Sequence, residues 1–111
     1  MKAYLVSGTP NTGKTTYARN LNIKHLQIDD IWVGWKGINW GGTQMVADNI
    51  NNPDYYKYHG EFIKNWVTKE DLVIEGYDLG FDDYQEMVKK ILKGYKIINV
   101  TCEGYNKYNI W

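Results

Sequence analysis

The sequence has one cysteine, two prolines and no apolar run of about 18 residues. The lone Cys102 cannot form a disulfide within the chain and follows the apolar segment KIINVT, so we expect a small buried hydrophobic residue. The missing apolar run argues against a membrane-spanning helix, and MKAYLVSG has no stretch typical of a signal peptide. These absences predict a soluble protein of the reducing cytoplasm with no membrane partner.

The charges balance, with 13 Lys and Arg residues against 13 Asp and Glu residues. A formal net charge of zero gives no overall basic field toward nucleic acid or an anionic membrane, so any site for a polyanion has to be local. Arg19 is the only arginine, which leaves little of the planar grip on phosphate that arginine provides. A chain of 111 residues, 43% of them hydrophobic, predicts a single domain over 1–111.

Short apolar runs alternate with segments of helical periodicity. Four β-rich runs predict strands at 2–7, 24–30, 72–74 and 95–101. Four further segments predict helices at 14–21, 43–50, 54–67 and 81–92, and the glycine content of 31–42 predicts a loop. Strands separated by helices favour a parallel sheet covered on both faces. The predicted fold class is therefore α/β, a three-layer sandwich with a short parallel sheet of about four strands.

The segment GTPNTGKT at 8–15 matches the phosphate-binding pattern G-x-x-x-x-G-K-[ST], between a predicted strand and a predicted helix. In such a loop the glycines let backbone N–H groups turn toward an anion, Lys14 would reach the β- and γ-phosphates, and Thr15 would ligate Mg²⁺. The alternative is an ordinary glycine-rich turn with an exposed lysine. We predict ATP and Mg²⁺ as cofactors. The predicted nucleotide-binding residues are Gly8, Thr9, Pro10, Asn11, Thr12, Gly13, Lys14, Thr15 and Thr16.

Carboxylates follow the second and third predicted strands. Because parallel strands end at one edge of the sheet, Asp29, Asp30 and Glu75 should face the same crevice as the glycine loop. Asp30 would accept the proton of an attacking hydroxyl, with Asp29 as the alternate base or as a partner that supports Asp30. Glu75 would hold Mg²⁺ or orient the nucleophile. The alternatives are an Asp pair that caps the next segment and a Glu75 that faces solvent. The predicted catalytic residues are Lys14, Asp29, Asp30 and Glu75, and the predicted metal ligands are Thr15 and Glu75.

Together, the segments SGTPNTGKTT, QIDD and LVIEG resemble the P-loop kinase group, which includes adenylate kinase-like enzymes, polynucleotide 5′-hydroxyl kinases and zeta-toxin relatives. The resemblance implies a P-loop NTPase-type sandwich and one nucleotide-binding kinase-like domain. It also implies transfer of the γ-phosphate of ATP to a hydroxyl or phosphate of a nucleoside, a nucleotide or a polynucleotide 5′ end. In polynucleotide kinases and zeta toxins an aspartate after the second strand activates the acceptor, and Asp30 resembles it.

The chain departs from this group after its fourth predicted strand. Members of the group usually carry arginines on a lid there and then add a fifth strand, whereas no arginine follows Arg19 here. Lys36 or Lys107 could replace the missing charge, or a second copy could supply it in a homodimer formed through the open sheet edge. Otherwise the protein binds nucleotide with little turnover, as a regulatory or interaction protein, or is a shortened domain of a larger enzyme. The first expectation is an enzyme, a P-loop kinase.

The tryptophans allow two interpretations, whereas the histidines favour one. Trp32, Trp35 and Trp40 could form a stacking platform for a base, or they could fill a small core. His25 and His59 have no metal-ligand spacing around them, so we expect structural roles for both.

Overall fold

The computed structural model describes residues 1–37 and 42–103. The strands are β1 (Lys2–Ser7), β2 (Lys24–Gln27), β3 (Leu72–Glu75) and β4 (Lys96–Thr101). The helices are α1 (Lys14–Asn20), α2 (Ile28–Lys36), α3 (Thr43–Asn49), α4 (Pro53–Trp66), α5 (Asp82–Ile91) and a 3₁₀ helix at Tyr77–Gly80. Within the described ranges, no helix is long and apolar enough to cross a bilayer.

The four strands form one sheet in the order β2-β3-β1-β4, and every neighbouring pair is parallel. Val6 of β1 lies opposite Glu75 of β3, and Glu75 also lies opposite Gln27 of β2. Ser7 lies opposite Thr101 of β4. The register therefore places the carboxyl ends of all four strands at one edge of the sheet. The predicted α/β class and four-stranded parallel sheet are confirmed.

Helices cover both faces of the sheet. On β1, Ala3 and Leu5 are buried in the larger core cluster, which also holds side chains from α2, α3, α4 and α5. Val6 belongs to a smaller cluster that packs against Ala18 of α1, with Cys102 half-buried at its margin. This division follows from the alternation of side chains along a strand, and it is compatible with a three-layer sandwich.

Helix α2 is the largest departure from the sequence-based prediction. The second strand ends at Gln27 rather than at residue 30, and residues 31–36 are helical rather than a loop. The buried residues Ile28, Ile31 and Trp32 have the spacing of one helix face, and that pattern outweighs the glycine content that suggested a loop. Gly37 has a φ of 74° and ends the helix in the left-handed conformation that glycine favours.

Because α2 begins at Ile28, the two aspartates lie elsewhere than the sequence predicts. Asp29 and Asp30 lie in the first turn of a helix, not at the end of a strand. Negative charge is favourable there because the N-terminus of a helix carries partial positive charge. Successive residues of a helix point about 100° apart, so the two carboxylates face different directions.

Helix α4 supplies much of the core opposite α1. It begins where the Asn52 side chain accepts a hydrogen bond from the Asp54 amide, a standard N-cap. Its buried face is formed by Tyr55, His59 and Ile63. Of the predicted face, Tyr55 is buried and Phe62 and Trp66 pack partly buried against the core, whereas Tyr58 is 37% exposed. His59 is structural in that it is fully buried in this face.

Candidate functional site

The loop between β1 and α1 turns sharply at three residues with positive φ. These are Gly8 (149°), Asn11 (63°) and Gly13 (88°). Glycine tolerates such angles because it has no Cβ, and asparagine tolerates them better than most residues. The two glycines of the sequence pattern thus stand where the backbone conformation needs them.

Hydrogen bonds within the loop meet at one carbonyl group. The Thr9 carbonyl oxygen accepts from the Thr12 hydroxyl at 2.7 Å and from the Lys14 ammonium group at 2.9 Å. Lys14 is the first residue of α1, so the loop and the start of that helix form one compact unit. Burial lowers the pKa of Lys14, whereas the charges of Glu75 and Asp29 act to raise it.

Substitution of Gly8 by alanine should disrupt this unit. A Cβ at Gly8 would lie 2.5 Å from the Cys102 carbonyl oxygen and 2.8 Å from the Thr12 hydroxyl, and its φ is unfavourable for alanine. We expect Gly8→Ala to lower the free energy of unfolding by about 2 kcal/mol in urea denaturation. Gly80→Ala is the control, because a Cβ there meets nothing within 4 Å. Equal stability of the two variants would contradict the described loop.

A cavity of about 460 Å³ opens between the loop, the start of α2 and the end of β3. It is lined by Pro10, Asn11, Thr12, Gly13, Lys14, Thr15, Thr16, Asp29, Glu75, Gly76 and Tyr77. The cavity thus brings together most of the residues predicted for the site. Gly8 and Thr9 instead line a smaller neighbouring cavity of about 260 Å³, and Asp30 lines neither. A further cavity of about 480 Å³ lies on α4 beside Trp35, away from the loop.

Glu75 connects the loop to the sheet. Its Oε1 accepts a hydrogen bond from the Thr15 hydroxyl at 3.2 Å, and its Oε2 lies 2.8 Å from His25 Nε2. The Glu75 side chain is only 5% exposed, so the predicted alternative of a solvent-facing strand end does not apply. The contact with His25 was missed in the sequence. Strand alternation could have found it, because His25 pairs with Val73 and so shares a sheet face with Glu75.

Asp29 is the aspartate that faces the cavity. Burial raises the pKa of the Asp29 carboxyl, Glu75 raises it further, and Lys14 lowers it. Both aspartates are exposed, but Asp29 lines the cavity and Asp30 does not. The assignment of the base to Asp30 stays a prediction, but the geometry favours Asp29, the alternate candidate.

Positive charge is sparse around this cavity. Lys14 is the sole cation among its described lining residues. Lys36 Nζ lies instead 4.2 Å from the centre of the Trp35 ring, Arg19 is exposed in the last turn of α1, and Lys107 lies outside the described residues. Strand β4 ends the sheet order, and pairing with a second copy at this edge stays a prediction.

The tryptophans belong mainly to the core. Trp32 is fully buried, so it has no free face for stacking a base. Trp35 is half-buried and stacks on Tyr55, with ring centres 5.8 Å apart. Trp40 lies outside the described residues. For Trp32 and Trp35, packing is the role that these contacts describe.

The donor groups near the loop suit a hard cation. Thr15 offers a hydroxyl and Glu75 a carboxylate, the oxygen ligands that Mg²⁺ prefers. Within residues 1–37 and 42–103, no group of three or more His, Cys, Asp and Glu side chains could hold a metal ion alone. The residues present therefore fit Mg²⁺ bound together with phosphate oxygens of a nucleotide, which is how proteins commonly hold this ion.

No protein-family model matches the chain, and no curated protein does. No family membership follows from these comparisons, so a function has to be inferred from the fold, the loop and the carboxylates around it.

Proposed function

We propose that the protein is a cytoplasmic P-loop kinase that uses ATP and Mg²⁺. Its acceptor would be a hydroxyl or phosphate of a nucleoside, a nucleotide or a polynucleotide 5′ end. The observation that carries this proposal is the hydrogen bond between the Thr15 hydroxyl and Glu75. This bond joins Thr15, which the loop pattern assigns to the metal, to a carboxylate at the end of the neighbouring parallel strand. The position of Glu75 at that strand end is the reason it is predicted as the second metal ligand.

The position of the cavity in the sheet supports the proposal. The chain leaves β1 toward β2 on one side of the sheet order and leaves β3 toward β4 on the other. Neighbouring strands β1 and β3 therefore send their connections in opposite directions, and ligands of open α/β sheets bind at the carboxyl ends of such strands. The glycine loop follows β1, and Gly76 follows β3. This placement supports the proposed P-loop NTPase-type sandwich.

Four residues of the cavity lining have roles in the proposed reaction. Lys14 would hold the phosphates, and Thr15 and Glu75 would hold the metal. Bound ATP and Mg²⁺ would supply the transferable phosphoryl group and the charge that offsets its oxygens. Asp29 would take the proton from the acceptor hydroxyl, since a carboxylate with a raised pKa is a better base than an ordinary aspartate.

A transfer assay tests these roles. Labelled ATP is incubated with nucleosides, nucleotides and 5′-hydroxyl oligonucleotides, and ATP binding is measured in parallel. We expect Asp29→Asn to lower transfer about 100-fold while binding is kept, because it removes the base. Asp30→Asn is the matched control and should change transfer less than about threefold. Lys14→Ala should weaken ATP binding at least about tenfold through the lost charge-assisted contacts.

Two outcomes would change the assignment. If Asp30→Asn abolishes transfer and Asp29→Asn does not, the base is Asp30. If the protein binds ATP through Lys14 but forms no product with any acceptor, it is a nucleotide-binding regulatory or interaction protein. The single cation in the described cavity lining favours this second function, because kinases neutralise the transferring phosphoryl group with several positive charges.

A further inference from the structure

The Glu75 carboxylate is held on both of its oxygens by side chains from different elements. Thr15 of α1 donates to Oε1 at 3.2 Å, and His25 of β2 contacts Oε2 through Nε2 at 2.8 Å. The His25 side chain is 18% exposed and the Glu75 side chain 5%, so water has little access to this pair. The carboxylate is thus fixed between the sheet and the first turn of α1.

We propose that His25 is a positioning residue for magnesium-dependent nucleotide binding. This proposal rests on the proposed function, because it assigns to Glu75 a role beside the metal. His25 would hold Oε2 so that Oε1 stays turned toward the Thr15 hydroxyl, where both oxygen groups can serve one cation. Without His25, the carboxylate can rotate about its side-chain torsions and lose this alignment.

The energetics of carboxylate ligands support this role. Carboxylates that bind metals are themselves hydrogen-bonded, and loss of such an outer partner typically lowers metal affinity by a factor of about 10–100. The contact between His25 and Glu75 is short and shielded from solvent, and both conditions strengthen a hydrogen bond to a carboxylate. His25 acts here through Glu75 and not by touching the nucleotide.

The test measures binding of a fluorescent ATP analogue with excess Mg²⁺ and with EDTA. The ratio of the two affinities is the gain that the metal provides. We expect His25→Ala to reduce this gain about 10–100-fold and to leave binding in EDTA within about twofold. His25→Gln should restore the gain to within about threefold of the original protein, because the glutamine amide can donate to Oε2.

A second comparison identifies the residue through which His25 acts. In a Glu75→Ala background, His25→Ala should not lower the ratio of the two affinities further, because both changes remove the same contact. If His25→Ala fails to fold, His25→Asn replaces it, since its side chain is shorter and does not reach the carboxylate. Circular dichroism of each variant confirms that the fold is kept.

The possible failures differ from one another. If the unchanged protein binds no nucleotide, or gains nothing from Mg²⁺, the proposed function and the role of His25 are both overturned. If the unchanged protein shows the gain and His25→Ala keeps it, only the role of His25 is overturned. Equal losses in the alanine and glutamine variants, or additive losses with Glu75→Ala, would also overturn it.

Discussion

Replacement of Asp78 by alanine is expected to lower the free energy of unfolding by about 4 kcal/mol, measured by urea denaturation. Asp78 is fully buried, and its Oδ2 accepts hydrogen bonds from the Trp32 indole at 2.9 Å and from the Tyr55 hydroxyl. Alanine would leave both buried donors without this acceptor, and each such donor costs about 1–3 kcal/mol. The new cavity adds to the loss.

Asparagine at this position should cost much less, below about 1.5 kcal/mol. Its amide oxygen can replace Oδ2 and accept from the same two donors. Burial raises the pKa of Asp78, which favours the neutral carboxyl, and asparagine is a neutral residue of nearly the same shape. Oδ1 is buried without a hydrogen-bond partner among the described residues, so the NH2 group of asparagine would stay unpaired there and accounts for the remaining cost.

A double-mutant cycle with Tyr55→Phe checks the mechanism. Once the tyrosine hydroxyl is gone, Asp78→Ala leaves one unpaired donor instead of two, so the two losses should fall short of additive by about 1 kcal/mol or more. The prediction fails if alanine costs less than about 1 kcal/mol, or if asparagine costs as much as alanine.

The parts of the fold that sequence could predict were local or periodic. Short β-rich runs between helical segments were enough for the parallel sheet, because few other arrangements bury such runs. The loop pattern at 8–15 specified its own turns, since Gly8 and Gly13 occupy positive φ. From the strand ends, sequence could also predict that Glu75 lies near the loop, where it contacts Thr15.

The rest depended on contacts between distant segments. Helix α2 was missed because glycine content was given more weight than the spacing of Ile28, Ile31 and Trp32. Which of two adjacent aspartates faces the cavity depends on where the helix starts, and a shift of one residue turns a side chain by about 100°. Asp78 is bound by residues 46 and 23 positions away, so no local pattern marks it as buried.

Acidification should destabilise the protein through His59. This histidine is fully buried in α4, where its Nδ1 lies 2.8 Å from the Tyr84 hydroxyl and its Nε2 has no hydrogen-bond partner among the described residues. Burial lowers the pKa of His59 to about 3 from its usual 6.5, because the charged ring would lose its hydration. The folded protein therefore keeps His59 neutral at pH values where the unfolded chain already binds a proton.

The sign of the effect follows from proton linkage. The contribution of His59 to stability is fully present above pH 6.5 and is lost as the pH falls toward 3. Between pH 7 and pH 4.5 the loss amounts to about 3 kcal/mol, at 1.36 kcal/mol for each pH unit below 6.5. Asp78 and Asp29 act in the opposite direction, because a raised pKa lets the folded state hold protons that the unfolded chain releases.

A comparison with His59→Asn separates these contributions. The variant cannot titrate at this position, it keeps an amide atom near the place of Nδ1, and its other titrating groups are those of the original protein. The variant should be the less stable protein at pH 7. At pH 4.5 the difference in unfolding free energy should be smaller by about 3 kcal/mol, because only the original protein loses the histidine contribution. If the difference in unfolding free energy is the same at both pH values, His59 takes up its proton in the folded protein. Tyr84 and the surrounding helix would then not shield the ring from water.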